Sequence, residues 1–544
     1  MNILRLLRSG TSGNRQFIII VTSLSGLGNA GLVGLINQAA ERSLLDEAIS
    51  VQLMIVYLLT LFFFIVSNRS SLLHANRFVQ SRLETMRRRV VNKIGKVDLR
   101  TLERMGQGDV YLTVAQETDH LSQTLPLIIG AAQSAFLLVF LILYIATLSL
   151  ISFFVVAGFT VLGILFFLNR QKALTGYLGE VHYKEAELID NLSHFTLGFQ
   201  EIRLNANKND ALFEHFTNLT SDLKDAVLRD GGRWVTLLQF SNAFVFLLAG
   251  LVVFVLPIFF GGYTDTIYKI MAVSVFAVGP MAALTSVIRL LGRAEVGLGH
   301  VYDLERRLDE GLSPSGPKSP RQNSPFRNFS KIELSEAMFR YVDRENAITF
   351  AAGPLNLTLN RGEIVFMTGG NGSGKSTALK LLCGLYLPES GRVLCDGEEV
   401  TDTTRQQYRE IYSAIFTDFH LFDRPYGMEN VSTEEVERLI AKMELSDKVR
   451  FEKGRFTTRE LSTGQRKRLA MISCLLEDRE VYIFDEWAAD QDGHFRDVFY
   501  REMLPDFKAR GKTVIAVTHD DKYWDCCDRQ VTLDLGMITM AGVN

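Results

Sequence analysis

The sequence predicts a multi-domain membrane protein: a six-helix, all-α transmembrane domain followed by an α/β domain built around a phosphate loop. Three observations predict it. Uncharged apolar runs of about 20 residues, the length that crosses a hydrocarbon core, recur through the first half of the chain. The stretch GGNGSGKST occupies residues 369–377, between a strand-like apolar run and a helix-like one. After residue 330, short apolar runs alternate with helical stretches, the pattern of an α/β domain with a largely parallel sheet. At 544 residues the chain is long enough for two or more domains, and its 47% hydrophobic content with positive mean hydropathy departs from soluble composition. A net charge of −3 gives no sign of nucleic-acid binding.

The apolar runs cover residues 17–37, 48–66, 125–168, 235–260 and 270–288. Arg5, Arg8 and Arg15 precede the first, as in a signal peptide, but no small-residue cleavage site follows, so an uncleaved span is expected. The run 125–168 is 44 residues long, too much for one span and right for two with a tight turn near 147–149, which makes six spans. Basic residues set the orientation. Segment 67–124 holds ten Lys/Arg and 169–234 holds eight, whereas 261–268 has none and 38–47 has one. The positive-inside rule therefore places both long loops, the N-terminus and the C-terminal half in the cytoplasm. Two helical arms of about 25 residues in each loop would project roughly 35 Å at 1.5 Å per residue.

Residues 311–330, GLSPSGPKSPRQNSPFRNFS, are rich in Pro and Ser and read as an extended linker. The expected domains are thus 1–310, the linker 311–330, and 331–544. All five cysteines (Cys383, Cys395, Cys474, Cys526, Cys527) follow residue 380 without metal-ligand spacing, and read as reduced and mostly buried. Within the spans, Asn29, Gln133, Gln239 and Asn242 are neutral polar residues, open to reading as interhelical bonds or cargo contacts, and Pro257 and Pro280 are expected kink sites. The lack of ionisable residues there points to an amphipathic, largely neutral cargo.

Chemistry concentrates in the C-terminal domain. In the G-x-x-x-x-G-K-S spacing, Gly369, Asn371, Gly372, Ser373 and Gly374 let backbone N–H groups face phosphates, Lys375 reaches the outer ones, Ser376 holds Mg²⁺, and Thr377 follows. The strand VYIFD (481–485) places Asp485 beside the Mg²⁺ site, with Glu486 next to it to orient and deprotonate a water. His519, at the end of the apolar run 513–518, is a candidate contact to the γ-phosphate. LSTGQ (461–465) offers Ser462, Gly464 and Gln465 at the start of a helix, a fitting anion contact.

In this order and spacing these motifs resemble the ATP-binding-cassette family. The resemblance implies ATP and Mg²⁺ as cofactors, and a dimer, most simply a homodimer, in which the signature of one subunit closes over the phosphate loop of the other. Tyr341 reads on its own equally as a half-buried strand tyrosine; the family has an adenine-stacking aromatic here. Asp492, in ADQD, matches the loop that communicates across the dimer. The sequence departs from the family where a glutamine normally reaches Mg²⁺: Thr417 stands there, a candidate metal contact, with Asp418 beside it. The interval from Thr417 to Leu461 looks shorter than in typical exporter cassettes, and Thr463 replaces a signature glycine.

Six spans with long loops ahead of a cassette resemble the exporter architecture. FTDFHLFD, LSTGQRKRLA, DEWAADQDGHFR and THDDKYW look like its bacterial cyclic-peptide branch, which includes transporters of pyoverdine precursors, syringomycin-type lipopeptides and microcin-like peptides. That resemblance implies an ATP hydrolase in the inner membrane that exports a cyclic or nonribosomal peptide, often a siderophore precursor. A lipid or drug flippase and an ATP-gated membrane regulator are the alternatives. GFQEIRLN (198–205) resembles the segment that docks on the cassette, with a counterpart expected around 106–118.

Overall fold

The computed structural model describes residues 2–8, 12–44, 50–172, 178–255, 258, 269–270, 273, 275–312, 324–342, 347–428 and 430–543. It divides into two compact units. One comprises Met1–Val90 and Gly108–Glu305, the other Val91–Gln107 and Arg306–Asn544.

The first unit is helical. Among the described residues, three helices are long and apolar enough to cross a membrane, at Gln16–Ser43, Val51–Ile94 and Thr113–Leu148, and two shorter apolar stretches lie at Leu150–Gly163 and Phe246–Val255. The count of six is therefore not reached by these residues. Residues 271, 272 and 274 of the expected sixth span, the connection 261–268, Pro257 and the linker residues 313–323 lie outside them. The expected break near 147–149 is present: one helix ends at Leu148, Ser149 is extended, and the next begins at Leu150.

The 44-residue helix Val51–Ile94 changes character along its length, which is about 66 Å at 1.5 Å per residue. Its apolar first part exposes Leu58, Leu59 and Phe62, as a lipid-facing helix does. Its polar second part instead buries a single stripe, Ser71, Ala75, Phe78, Val79, Leu83, Met86 and Val90, with the three- and four-residue steps of an amphipathic helix. Between the apolar helices small and neutral polar residues make the contacts. A Cβ on Gly26 would lie 2.9 Å from Phe136 Cβ, Gln133 donates to Ser25 Oγ at 2.8 Å, and the Thr22 and Ser71 hydroxyls meet at 2.8 Å. Gln133 thus takes the interhelical role of the two left open for it.

The second unit contains a six-stranded sheet in the order β12-β11-β3-β10-β9-β6. Its strands are β3 (Ile364–Thr368), β6 (Tyr412–Ile415), β9 (Val481–Asp485), β10 (Thr513–Val517), β11 (Arg529–Asp534) and β12 (Met537–Val543), all parallel except the edge strand β12. An antiparallel sheet in the order β2-β1-β4-β5 joins it, from β1 (Lys331–Val342), β2 (Ile348–Asn360), β4 (Ser390–Cys395) and β5 (Glu398–Glu399). A two-strand hairpin pairs β7 (Phe451–Glu452) with β8 (Arg455–Phe456). The central strands read as continuous apolar runs because both faces are covered. Val365 and Met367 pack with Phe339 and Leu379 on one face, while Phe366 and Phe484 pack with Trp487, Phe499 and Tyr500 on the other.

Candidate functional site

Four of the parallel strands deliver candidate residues to the carboxyl edge of the sheet, where ligands bind in open α/β folds. The phosphate loop follows β3, Thr417 follows β6, Glu486 follows β9 and His519 follows β10. Gly369 has φ +139°, and a Cβ there would sit 2.1 Å from the Leu533 carbonyl oxygen. Gly372 and Gly374 also take positive φ, which aims successive N–H groups inward ahead of the helix Lys375–Leu382. Lys375 Nζ donates to the carbonyls of Gly369 and Gly370, both at 2.9 Å. The Ser373 hydroxyl is buried without a hydrogen-bond partner among the described residues, an unmet polar atom inside the loop.

A cavity of about 450 Å³ opens over this loop. Asn371, Gly372, Ser373, Gly374, Lys375, Ser376 and Thr377 line it together with Tyr341, Thr349, Phe350 and Glu486. Gly369, Thr417, Asp485 and His519 are not in its lining. Nor are Ser462, Gly464 and Gln465.

Ser376 Oγ donates to Asp485 Oδ2 at 2.8 Å, and Asp485 is 2% exposed. Burial raises the Asp485 pKa above the ordinary carboxylate value, against hydrogen bonds from Ser376 and Thr417 that lower it. An accessible hydroxyl bonded to a buried carboxylate beside a phosphate loop is a pair of hard oxygen donors, which fits Mg²⁺. Thr417 touches Asp485, so the residue at the departed glutamine position reaches the same carboxylate.

Glu486 adopts φ +52°, ψ +36°, a left-handed conformation uncommon for a residue with a side chain. Its carboxylate lies 3.4 Å from His519 Nε2. The expected pair is therefore brought together, with Glu486 directly on the cavity and His519 within contact of its carboxylate.

Tyr341 lies beside the loop, its hydroxyl 3.3 Å from Thr377 Oγ1. That hydroxyl also donates to Tyr386 at 3.1 Å, and Tyr386 donates to Glu103 Oε2 at 2.6 Å. Burial first, and the bonds to Glu103 and Tyr341 next, push the Tyr386 phenol well up. Glu103 belongs to the short helix Leu99–Met105, capped by Asp98, whose side chain accepts from Thr101 N. Arg100 of this helix pairs with Glu389 at 2.9 Å, and Glu103 pairs with Lys380 at 3.1 Å. The first arm thus meets the cassette through residues 99–105, ahead of the 106–118 stretch expected. Asp98 as an N-cap was the signal available in the sequence, and nothing there marks Glu103 or Tyr386.

The signature motif begins the helix Thr463–Glu477. Ser462 and Gln465 form a reciprocal capping box, Gln465 N donating to Ser462 Oγ at 3.4 Å and Ser462 N to Gln465 Oε1 at 3.2 Å. Gly464 faces the loop after Glu486: a Cβ there would lie 2.5 Å from the Asp490 carbonyl oxygen, and Gln491 Nε2 donates to the Gly464 carbonyl at 3.0 Å. Asp492 caps the next helix by accepting from Phe495 N at 2.9 Å. Lys467, 3% exposed, was overlooked in the sequence. Its position is that of a lone charge on the buried stripe formed with Ala470, Met471 and Cys474, which is a legible signal.

Residues 352–489 match the family model for ABC transporters. The whole chain is similar to the ATP-binding protein SyrD of Pseudomonas syringae pv. syringae, 32% identical over 557 aligned residues that span 99% of this chain and 96% of that protein. The chain belongs to the ABC transporter family. This ABC transporter hydrolyses ATP through its C-terminal domain. It is also 28% identical to the iron-sulfur clusters transporter ATM1, mitochondrial, of Candida glabrata, over 278 residues that cover 49% of this chain and 37% of that one. Among solved structures, a bacterial Atm1-family ABC exporter with ATP bound matches with TM-score 0.75 and 17% identity, covering 97% of this chain and 94% of that one. That likeness gives the fold: an exporter-type helical domain followed by an ABC ATPase domain.

Proposed function

We propose that this ABC transporter works as a homodimer in the bacterial inner membrane, its ATPase domain in the cytoplasm, and exports a cyclic or nonribosomal peptide of the siderophore-precursor or lipopeptide class. One observation carries the ATP-driven part: the phosphate loop, Glu486 and Tyr341 share a cavity that the signature residues Ser462, Gly464 and Gln465 do not reach. A second subunit would supply them. The peptide cargo rests on the motif resemblance and on the similarity to SyrD along nearly the full length of both chains.

In this reading Lys375 leaves the Gly369 and Gly370 carbonyls to meet the outer phosphates, and the inward N–H groups of residues 371–376 hold the rest. Mg²⁺, when bound, would be held by Ser376 and Asp485, with Thr417 supporting Asp485, and would offset phosphate charge. Glu486 orients the attacking water and accepts its proton, while His519 steadies the Glu486 carboxylate and faces the γ-phosphate. Tyr341 stacks on adenine. Closure supplies the differential affinity for two states without which ATP could drive no conformational change.

The experiment is ATP-dependent uptake of candidate cyclic peptides into inside-out vesicles, with ATPase stimulation measured in parallel. Wild type is expected to show both, and Glu486→Gln to lower turnover about 10²- to 10⁴-fold while still closing with ATP. Phosphate release near the wild-type rate in that variant would refute the role of Glu486. ATPase without peptide uptake but with lipid or drug movement would transfer the cargo to that class, and neither uptake nor stimulation would favour a regulator.

A further inference from the structure

The strained conformation of Glu486 is held by a group that no motif names. Lys467 lies on the second turn of the signature helix with its ammonium enclosed, and Nζ donates to the Glu486 carbonyl oxygen at 2.6 Å and pairs with Asp490 Oδ2 at 2.6 Å. The Lys467 carbonyl in turn accepts from Trp487 Nε1 at 3.0 Å. The turn that follows β9 is therefore fastened to one lysine at three successive points: the Glu486 carbonyl, the Trp487 indole and the Asp490 carboxylate. Asp490 is half exposed, so the ammonium is neutralised from the solvent side while its other contact faces inward.

We propose that Lys467 is the positioning residue for the catalytic carboxylate. A residue with a Cβ leaves the left-handed region unless something over-determines it. The bond from Lys467 fixes the Glu486 peptide plane. That plane keeps Glu486 in the left-handed conformation, and the conformation aims its carboxylate into the cavity beside the phosphate loop, 3.4 Å from His519. Lys467 does not line the nucleotide cavity, so its effect on hydrolysis runs through the turn it holds, at the Glu486 carbonyl. It also sits on the same helix as Ser462, Gly464 and Gln465, so any displacement of the signature end reaches the Glu486 backbone through a bond of 2.6 Å. The inference rests on the reading of Glu486 as the base.

The test measures ATP hydrolysis by the full-length protein in nanodiscs, with steady-state and single-turnover kinetics. Lys467→Met is expected to lower kcat about 10- to 100-fold, with KM for ATP changed less than about twofold, as misplacement of a catalytic group does. Asp490→Asn, which keeps the packing and removes the anchor of the ammonium, is expected to lose a smaller factor, about 3- to 10-fold, with the same unchanged KM. The deciding arm is the double variant Lys467→Met/Glu486→Gln. If Lys467 acts through Glu486, the double variant hydrolyses ATP at the rate of Glu486→Gln alone, whereas a merely structural lysine multiplies the two losses. Multiplicative losses, or wild-type kcat in Lys467→Met, overturn the proposal. Should Lys467→Met fail to fold, the same cycle run with Asp490→Asn decides on the same criterion. Wild-type kcat in Glu486→Gln by itself would instead defeat the reading on which the inference stands.

Discussion

Two helices of the ATPase unit begin in anion-binding sequence, and they end in opposite circumstances. The helix Lys375–Leu382 starts inside a cavity lined by its own loop, Tyr341 and Glu486, with Ser376 already bonded to Asp485. The helix Thr463–Glu477 starts at an exposed Ser462 and a half-buried Gln465 that cap each other, outside that cavity. The first is a phosphate site completed by its own chain. The second is a self-capped helix start whose residues do not line that cavity. In the proposed dimer the two helix starts are complementary halves of one site, one from each copy.

The largest expected effect breaks this comparison by complementation. Lys375→Ala and Ser462→Arg should each depress ATPase activity about 10²-fold or more when tested alone. Only the first should abolish binding of a fluorescent ATP analogue to the isolated subunit. Mixed during reconstitution, the two variants should regain activity, because a mixed pair holds one intact loop facing one intact signature. Random pairing into a two-fold dimer would give about a quarter of wild-type sites. No recovery on mixing would show that each chain works alone.

A smaller effect sharpens the loop half. Tyr341→Ala should raise KM for ATP about 3- to 10-fold by removing an aromatic face, with kcat little changed. An unaltered KM would leave Tyr341 as a strand residue that only links Thr377 to Tyr386.

The smallest effect concerns the arm helix Leu99–Met105, which meets the loop half through Glu103 and Arg100. Burial raises the Glu389 pKa, but the bonds from Arg340 and Arg100 outweigh it and hold the carboxyl below its ordinary 4.5. A depressed folded pKa means stability present above pH 4.5 and lost as pH falls through the folded value. Glu389→Gln should lower the thermal midpoint at pH 7 by an amount worth under about 1 kcal/mol. The difference from wild type should shrink as pH falls below 4.5 and vanish below the folded value. A difference constant across that range would show that Glu389 acts by packing instead.

Much of this was legible in the sequence because the chemistry is local. The phosphate loop, the acid at the end of β9 and the histidine at the end of β10 each lie within a few residues of a strand end, where an apolar run and a turn fix position without reference to the rest of the chain. The break at Ser149 was legible too, since no single span can be 44 residues long. The arm contact was displaced by several residues because its helix is set by Asp98 and by partners more than 270 positions away, Lys380 and Tyr386. Lys467 escaped because its meaning depends on which carbonyl lies opposite it.

By itself the sequence determined what each segment can do: where apolar length permits a membrane span, where glycines permit a phosphate loop, where an acid follows a buried strand. These follow from backbone sterics and transfer energies, which act within a few residues. Only the tertiary structure decided which of those capabilities share a space. It put Glu486 in the cavity and the signature residues outside it, because sheet order and side-chain packing, not chain order, bring distant strand ends together.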